Sequence, residues 1–499
     1  MPWQCYICQE PSEDICAHCT KDICSNHLCE HCRRCSDCCE CKDQPVRPRV
    51  LKPTIFREYD IRGIADLELD GEAVEQLGRA IGCYLPQGRA PKVAVARDCR
   101  LSSGRLRDAI VAGLTATGCE VVDLGVVPTP LLYYGCLHLK TDGGVMVTGS
   151  HNPPEYNGFK VVSGPSTIHG EEIQRLRRIL EAGEFPGGRG RLRPYDIAEP
   201  YVAEVTAQFR LERRVKVVVD TGNGTSGPTM RRLLEGVNCE PIELFFEMDG
   251  RFPNHHPDPT VPRNLEALAA RVEESGAELG IALDGDGDRI GAVDERGSVV
   301  WGDQLLAIFA REILTRKPGA TFISEVKASQ VMYDEIRRHG GRAIMWKTGH
   351  SLIKAKMKEE KAELAGEMSG HLFFADRYHG YDDALYAALR LIELVDRAGR
   401  PLSALLEDLP RTVTTPEIRV DCPDEEKFAL VERVKEAFRR THEIIDVDGV
   451  RVLFDEGWGL VRASNTQPVI VLRFEAARQQ ALDEYRREVE EVIARARAG

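Results

Sequence analysis

The chain has 499 residues, more than one hydrophobic core usually holds, so we expect several domains. Apolar residues make up 42% and charged residues 29% of it, and the formal net charge of −13 argues against nucleic acid as the main partner. No apolar run is long enough to span a bilayer and the N-terminus lacks a signal-peptide pattern, so we expect a cytoplasmic protein of the size of an enzyme, with no membrane partner.

The first 45 residues carry closely spaced pairs of cysteines. Eleven of the 17 cysteines lie between Cys5 and Cys41. Pairs two residues apart suit a tight turn that directs both thiolates at one tetrahedral ion. Because about 40 polar residues cannot bury enough surface to fold alone, we expect Zn²⁺ to supply the folding free energy. The predicted zinc ligands are Cys5, Cys8, Cys16, Cys19, Cys24, His27, Cys29, Cys32, Cys35 and Cys38.

The spacing of the first three pairs resembles B-box and related cross-brace zinc modules. One pairing puts four ligands on one ion, namely Cys5, Cys8, Cys24 and His27. Cys16 and Cys19 then hold a second ion with two later ligands, and a third ion is possible. A disulfide-rich secreted domain is the alternative, which the absence of a secretion signal disfavours. Such modules usually hold partners or subunits, so protein contact or oligomerisation is the expected role.

The segment between Lys42 and Pro53 holds three prolines and four basic residues, which predicts an extended linker. After it, apolar runs alternate with amphipathic stretches. A helix is predicted over 103–114, and strands over 92–96, 121–124, 217–220, 279–283, 321–326 and 342–346. This alternation predicts an α/β body of largely parallel sheets with helices on both faces. Because ligands of such sheets gather at the carboxyl ends of strands, the loops there are the candidate site.

The first such loop, Thr148-Gly-Ser-His-Asn-Pro-Pro154, follows the apolar run Gly144–Val147. Its two prolines stiffen the loop and fix the direction of Ser150. A serine held in this way is a candidate phosphate carrier or acyl nucleophile. The acyl interpretation lacks a Gly-x-Ser-x-Gly elbow, because Thr148 and Asn152 occupy the two glycine positions.

The second loop, residues 283–289, alternates three aspartates with glycines. Two carboxylates about 5 Å apart repel by roughly 3 kcal/mol at an effective dielectric constant near 20, so Asp284, Asp286 and Asp288 need a cation to converge. Oxygen ligands favour one Mg²⁺. The loop begins like an EF-hand, but Arg289 and Ile290 stand where further ligands are needed, and a solvated turn is the other alternative.

Two further loops carry polar side chains suited to a sugar phosphate. In Gly366–His371, Glu367 and Ser369 alternate, so both can face the vicinal hydroxyls of a sugar. In 457–468, a phosphate is expected to bind Arg462, Ser464, Asn465 and Thr466. A plain polar turn is the alternative for each loop.

Together these loops resemble the α-D-phosphohexomutase superfamily, most closely its phosphomannomutase/phosphoglucomutase group. The resemblance spans about residues 51 to 499 and includes Phe-Arg-Glu-Tyr-Asp-Ile-Arg-Gly at 56–63 and Lys-Thr-Gly-His-Ser at 347–351. It implies three related α/β domains and a C-terminal α+β domain around a central cleft, with the zinc-binding module, residues 1–45, in front. The implied domains are 51–195 with the serine loop, 196–298 with the metal loop, 299–410 with the sugar loop and 411–499 with the phosphate loop.

The resemblance also implies a reaction. A phosphorylated Ser150 hands its phosphoryl group to a hexose phosphate, the hexose 1,6-bisphosphate reorients, and its other phosphate returns to the serine. The bisphosphate is therefore also the expected activator. Mg²⁺ is expected on the three aspartates and Ser150, and basic groups must offset the remaining negative charge. Lys160 and Arg289 adjoin these loops, and the resemblance adds Tyr59, Arg62, Arg97, Lys327 and His350.

Two features of this reaction stay open in the sequence. A base must accept the proton of the sugar hydroxyl, and both Lys160 and His350 are candidates. Because an unperturbed lysine is a poor base near neutrality, Lys160 needs a pKa lowered by cationic neighbours for this role. The bisphosphate must also rotate without escaping, so we expect the fourth domain to move.

The sugar loop bears on the choice of substrate. Met368 resembles the mannose/glucose group, whereas the glucosamine branch typically has Gln there and Ala in place of Gly149. Both features favour mannose and glucose phosphates. Two alternatives are a phosphoglucosamine mutase, and a scaffold or regulator whose zinc module binds partners while the body senses sugar phosphates. The departures from the family pattern, Cys99 and Ala384-Leu385, remove no proposed ligand.

Overall fold

The computed structural model describes residues 51–498 except 87–89, 165 and 465–467, together with Cys5, Ser12, 14–16, 21–23, 27 and 28. The linker up to residue 50 lies outside the described residues. So do seven of the predicted zinc ligands, namely Cys8, Cys19, Cys24, Cys29, Cys32, Cys35 and Cys38.

Within the first 45 residues, the described part contains one short antiparallel hairpin. Strand β1 (Asp14–Ile15) pairs with β2 (Asp22–Ile23). Cys16 follows β1, is buried, and its backbone N–H donates to the carbonyl oxygen of Lys21 at 2.9 Å. Cys5 is also buried, and its Sγ lies 3.9 Å from Nδ1 of His27. Two of the predicted zinc ligands are therefore neighbours in space.

The first α/β unit is built on a seven-stranded sheet in the order β3-β7-β6-β4-β5-β9, with β8 on β7. Its strands are β3 (Ile61–Ile64), β4 (Lys92–Arg97), β5 (Glu120–Val126), β6 (Gly143–Val147), β7 (Tyr156–Ser163), β8 (Ser166–Thr167) and β9 (Arg191–Pro194). Its helices are α1 (Ala65–Glu68), α2 (Gly71–Tyr84), α3 (Ser103–Ala116), α4 (Thr129–His138) and α5 (Glu171–Ala182), after a 3₁₀ turn at Pro53–Ile55. Every residue of β6 is buried, as expected for a central strand.

The second unit has a five-stranded sheet in the order β11-β10-β12-β13-β14. Its strands are β10 (Lys216–Asp220), β11 (Glu240–Leu244), β12 (Leu279–Leu283), β13 (Ile290–Asp294) and β14 (Val299–Val300). Its helices are α6 (Ala198–Thr206), α7 (Gly227–Gly236) and α8 (Glu266–Ser275), the last preceded by a 3₁₀ turn at Pro262–Leu265.

The third unit has a four-stranded sheet in the order β16-β15-β17-β18. Its strands are β15 (Thr321–Glu325), β16 (Arg342–Trp346), β17 (Leu364–Gly366) and β18 (Leu372–Phe374). Its helices are α9 (Gly302–Arg316), α10 (Gln330–Arg338), α11 (His350–Glu360) and α12 (Ala384–Ala398), followed by a 3₁₀ turn at Leu402–Leu405.

The fourth unit differs, because all its strands pair antiparallel. They are β19 (Val413–Thr414), β20 (Ile418–Asp421), β21 (Ile444–Ile445), β22 (Val450–Phe454), β23 (Gly457–Ala463) and β24 (Val469–Ala476), covered by α13 (Asp424–Phe438) and α14 (Gln479–Ala498). The predicted fold class, three α/β units and a C-terminal α+β unit, is confirmed. Among the described helices, none is both long and apolar enough to cross a membrane.

One detail of the first three sheets was not expected from an alternating strand–helix pattern. The serine loop joins β6 to β7, the metal loop joins β12 to β13, and the sugar loop joins β17 to β18, and each pair is antiparallel. These loops are therefore turns between neighbouring strands instead of strand-to-helix connections. Their equivalent place in three sheets is what three related units produce.

The apolar core places the first three units against one another. A single cluster of buried side chains includes Leu131 on α4, Met230 on α7, Leu306 on α9 and Leu389 on α12. The fourth unit has a separate core, in which Leu430 of α13 packs with strand residues of its own sheet.

The fourth unit contacts the third through a buried arginine. Arg451 on β22 donates from Nη1 to the carbonyl oxygens of Val326, at 2.7 Å, and Ala328, at 2.8 Å, just after β15. Its guanidinium lies 3.7 Å from the centre of the Trp458 ring. Burial lowers the pKa of Arg451 to about 10. The indole N–H of Trp458 donates to Glu475 at 2.6 Å, and Glu475 also accepts from the backbone N–H of Gln330, in the third unit, at 3.0 Å.

Candidate active site

Ser150 lies in the turn after β6 with a strained backbone. Its φ is +48°, a left-handed conformation that non-glycine residues rarely adopt, and the residue is only 2% exposed. Its N–H donates to Oγ1 of Thr148 at 2.8 Å. Its Oγ lies 3.1 Å from Oδ2 of Asp284, in the metal loop of the second sheet. The structure thus brings the serine and metal loops together, as the sequence predicts.

A buried arginine–aspartate pair, absent from the predicted site residues, holds this turn. The Arg100 guanidinium donates to four carbonyl oxygens of the turn, those of Ser150, Asn152, Pro153 and Tyr156. Asp98 accepts from Oγ1 of Thr148 at 2.8 Å and pairs with Arg100 at 3.1 Å. The arginine replaces the hydrogen bonds that an irregular turn cannot make with itself. The only sequence signal was two charged residues directly after the apolar strand β4.

The three aspartates of the metal loop converge as predicted. Asp284, Asp286 and Asp288 are fully buried, and one carboxylate oxygen of each lies within 4.8 Å of those of the others. Among the described residues, Oδ1 of Asp286 has no hydrogen-bond partner. Burial and the neighbouring carboxylates raise the pKa of Asp284. Three carboxylates with an unpartnered buried oxygen and the Ser150 hydroxyl fit a divalent cation that prefers oxygen, which is Mg²⁺.

Lys160 lies against these aspartates. Its Nζ donates to Oδ2 of Asp286 at 2.8 Å and also to Asp288. Burial alone would lower the pKa of Lys160, but the two carboxylates hold it well above its usual value. This direction is the opposite of what a lysine base needs, because the neighbours of Lys160 are carboxylates and not the cationic groups that a base role requires.

Two predicted arginines also reach the serine and metal loops. Arg62 donates to Oδ1 of Asn152 at 2.7 Å and pairs with Asp60. Arg289 directs its Nε toward Nε2 of His371 at 3.3 Å. Both guanidinium groups therefore border the place where the serine oxygen meets the aspartates.

The sugar loop contains a histidine that was not among the predicted site residues. His371 Nδ1 lies 2.9 Å from Glu367 and 3.2 Å from Oγ of Ser369, while its Nε2 lies 3.3 Å from Asp288. Burial works against the charged imidazole, but these carboxylates raise the pKa of His371 to about 9. His371 therefore links the predicted sugar ligands to the metal loop. It stands in the same short motif as Glu367, and that proximity was the available signal.

His350 begins helix α11 and faces the same place. Its ring stacks on that of His371 with centres 5.6 Å apart, and its Nδ1 lies 3.3 Å from Oδ2 of Asp382. Burial lowers the pKa of His350 although Asp382 opposes this shift. The hydroxyl of Tyr59, from the first unit, donates to the carbonyl oxygen of Thr348 at 2.6 Å and so borders the His350 loop.

The described residues of the predicted phosphate loop, together with the predicted cleft residue Lys327, lie at the junction of the third and fourth units. Arg462, near the end of β23, pairs through Nε with Asp448 at 3.1 Å. Lys327 donates to Glu417 at 2.7 Å. Ser464 is buried at the end of the same strand, and its N–H donates to Val469. Of the remaining predicted ligands, Asn465 and Thr466 lie outside the described residues.

The geometry defines a class of enzyme. A serine oxygen beside a three-carboxylate cation site, bordered by lysine and arginine and by a carboxylate–hydroxyl pair, suits transfer of a phosphoryl group to and from a polyhydroxylated substrate. Arg97, at the end of β4, donates from Nη1 to the carbonyl oxygen of Asp98 at 3.3 Å.

Comparison with known proteins identifies the family. Four models of phosphoglucomutase/phosphomannomutase domains match in order: alpha/beta/alpha domain I at 53–187, domain II at 199–297, domain III at 301–413 and the C-terminal domain at 417–492. The chain belongs to the phosphoglucomutase/phosphomannomutase family.

Several relatives are similar over most of their length. A phosphomannomutase/phosphoglucomutase of Pseudomonas putida is 48% identical over 86% of this chain and 93% of its own. A phosphoglucomutase of Neisseria gonorrhoeae is 43% identical over 88% and 96%. A crystal structure of a family protein from Burkholderia thailandensis superimposes with a TM-score of 0.85 at 43% identity, covering 90% of this chain and 99% of that one.

Proposed function

We propose that this enzyme interconverts hexose 1-phosphates and hexose 6-phosphates of mannose, glucose or both. Ser150 carries the phosphoryl group, and a hexose 1,6-bisphosphate is the intermediate that reorients. The observation that carries the proposal is the 3.1 Å approach of the Ser150 oxygen to Asp284, within a cluster of three buried carboxylates. The relatives named phosphomannomutase/phosphoglucomutase support it, because their similarity covers all four units.

Different residues of this chain bind the metal ion, the reacting phosphoryl group, the sugar hydroxyls and the second phosphate. Asp284, Asp286, Asp288 and Ser150 would hold Mg²⁺, which would neutralise charge on the phosphoryl oxygens. Arg289 and Lys160 add positive charge around the same group, and Arg62 borders it from the first unit. Glu367 and Ser369 hold sugar hydroxyls. The non-reacting phosphate binds at Lys327, Arg462, Ser464, Asn465 and Thr466.

A sugar hydroxyl must lose a proton as it attacks the phosphoserine. Lys160 and His350 are candidates for the base, and the geometry adds His371. His371 contacts both the sugar loop, at Glu367, and the metal loop, at Asp288, so it lies between the two reacting partners. We favour His371 on this placement, because Mg²⁺ on Asp288 would offset the carboxylate charge that raises the pKa of His371 and so let the imidazole accept a proton near neutral pH. Loss of turnover with unchanged phosphoserine content in His371→Ala, but not in His350→Ala, supports this assignment, and the reverse result assigns the role to His350.

The test of the mutase function is a coupled assay with the 1-phosphates of mannose, glucose and glucosamine, with Mg²⁺ and with or without added hexose 1,6-bisphosphate. We expect turnover of the first two, stimulated by the bisphosphate. Ser150→Ala should lose at least about 1,000-fold in kcat, because the covalent carrier is gone. Ser166→Ala, at an exposed serine on the same sheet, is the control. Equal rates for parent and Ser150→Ala contradict the proposal.

The same assay separates the alternatives. Met368 and Gly149 favour mannose and glucose over glucosamine, so higher kcat/KM with glucosamine 1-phosphate identifies a phosphoglucosamine mutase instead. No turnover of any hexose phosphate, together with measurable binding, identifies a sensing scaffold. The described site retains a serine, a carboxylate cluster and phosphate ligands, which favours catalysis over sensing.

We also propose that residues 1–45 bind two or more Zn²⁺ and mediate protein contact or oligomerisation, in a cytoplasmic enzyme. The 3.9 Å between Cys5 Sγ and His27 Nδ1 is close to the roughly 3.5 Å expected for two ligands of one tetrahedral Zn²⁺. Metal analysis of purified protein tests this, with Cys5→Ser expected to lose one ion. Full-length protein that contains no zinc after expression in zinc-supplemented medium contradicts it.

A further inference from the structure

Glu325 occupies a central position that the proposed mechanism does not use. It is the last residue of β15, which lies between β16 and β17 in the third sheet. The loops that follow these three strands carry Lys327, His350 and the Glu367–Ser369 pair, respectively. The Glu325 side chain is fully buried where the three loops meet.

The carboxylate accepts one hydrogen bond from each of the three loops. Its Oε2 accepts from the backbone N–H of Lys327 at 2.9 Å and from Oγ1 of Thr348 at 3.0 Å. Its Oε1 accepts from the backbone N–H of Met368 at 3.3 Å. Three donors that share two oxygens suit a carboxylate, since a glutamine amide has only one accepting oxygen and presents its NH₂ group to the remaining donor.

Thr348 extends this arrangement beyond the third unit. Its carbonyl oxygen accepts from the Tyr59 hydroxyl of the first unit at 2.6 Å. Its N–H donates at 3.0 Å to Asp448 of the fourth unit, which in turn pairs with Arg462. The loop that Glu325 fixes therefore contacts both the first and the fourth unit.

We propose that Glu325 is a positioning residue that holds the sugar loop at a fixed distance from Lys327 and from the His350 loop. Sugar hydroxyls and the non-reacting phosphate are bound by different loops, so the spacing between these loops must match the length of one hexose phosphate. Glu325 sets that spacing without touching the substrate. It acts on substrate binding, and the serine loop, which belongs to another sheet, is expected to keep its position.

The test compares Glu325→Gln with Glu335→Gln in the full-length enzyme. Glu335 is a matched control, because it is a buried glutamate of the same unit that pairs with Arg311 and Arg338 on the outer helices. We expect Glu325→Gln to raise KM for glucose 1-phosphate or mannose 1-phosphate about tenfold, with kcat reduced less than threefold. Phosphoserine content, measured by mass spectrometry, should equal that of the parent. Glu335→Gln should leave KM within twofold of the parent.

Thr348→Val keeps the proposal testable if Glu325→Gln fails to fold. It removes one of the three donors and retains the backbone contacts to Tyr59 and Asp448, so KM should rise about threefold. An unchanged KM in either folded variant, or an equal rise in Glu335→Gln, overturns the inference. The inference rests on the mutase activity proposed above, and turnover by the parent enzyme tests that activity separately.

Discussion

Arg100 illustrates how one residue can support catalysis without meeting the substrate. Its guanidinium spans the serine turn and donates to the carbonyl oxygens of Ser150 and of three later residues. The position of Gly149 follows from this contact, because a Cβ there would lie 2.5 Å from Nε of Arg100. The strained φ of Ser150 is therefore maintained by a side chain from the neighbouring strand connection.

Arg100→Lys is expected to reduce kcat about 100-fold, because a single ammonium cannot replace a planar group that binds four carbonyls and a misplaced nucleophile reacts slowly. Steady-state kinetics and phosphoserine content measure the effect. Arg107→Lys, at a partly buried arginine of the adjacent helix α3 that pairs with Asp108 and Asp123, is the control and should retain kcat. A kcat for Arg100→Lys within threefold of the parent contradicts the role given to this residue.

At this scale the sequence predicted those site residues that lie in short polar motifs after apolar strands. Ser150, the three aspartates, Glu367 and Ser369 could be found in this way, because their motifs place them on one loop edge. Asp98, Arg100 and Glu325 could not, since their roles arise from contacts between loops distant in the chain. His371 could have been predicted, because it lies in the same short motif as Glu367 and Ser369. The roles of the site residues and the domain boundaries stay predictions.

At the scale of single elements, helix α12 begins with an unusual cap. Asp383 accepts at 2.9 Å from the backbone N–H of Tyr386, and its other oxygen accepts from the hydroxyls of Tyr201 and Tyr378. Burial nevertheless raises the pKa of Asp383 to about 6, since three hydrogen bonds offset only part of the desolvation. The cap connects the second and third units through Tyr201.

This pKa predicts a specific pH dependence of stability. A carboxyl whose pKa is higher in the folded than in the unfolded state destabilises the fold at neutral pH, and the penalty disappears as pH falls from about 6 to about 4. It amounts to at most about 3 kcal/mol. Relative to Asp383→Asn, the parent should therefore gain melting temperature between pH 6.5 and pH 4.5 in calorimetry. A difference between the two proteins that is the same at both pH values contradicts this assignment.

The elements themselves were largely predictable, and the exceptions have a physical origin. Strands such as 279–283 and the helix over 103–114 were found to within a few residues, because buried runs and helical periodicity are local signals. Whether neighbouring strands pair parallel or antiparallel was harder to predict from the sequence. Strands buried on both faces, such as β6 and β12, form continuous apolar runs in either pairing direction, so the antiparallel pairing around the site loops appeared only in the structure.

For the molecule as a whole, an ion pair between units bears on substrate affinity. Lys327 of the third unit pairs with Glu417 of the fourth at 2.7 Å, and the Lys327 ammonium holds the pKa of Glu417 at about 2. A phosphate that binds Lys327 must compete with this carboxylate. Glu417→Gln should therefore lower KM for hexose phosphate about threefold to tenfold, with Glu425→Gln on an exposed helix as control. An unchanged KM would mean that phosphate and Glu417 do not share the lysine.

The zinc-binding module gives the second prediction at this scale. Removing residues 1–45 should leave kcat and KM within about twofold of the parent, because all the proposed catalytic residues lie in the four family domains. Assembly or partner binding should change instead, as measured by light scattering and by co-purification. Complete loss of turnover in a truncated protein that remains folded would assign the module a part in the reaction.

The buried contact made by Arg451 restricts how the fourth unit can move relative to Lys327 of the third. Its hydrogen bonds end on the carbonyls of Val326 and Ala328, on either side of Lys327. If the fourth unit moves while these two hydrogen bonds are kept, its motion is a rotation about the Arg451 guanidinium. Lys327 then stays nearly stationary while Arg462 moves with the fourth unit. One of the two phosphate ligands therefore keeps its position and the other changes it.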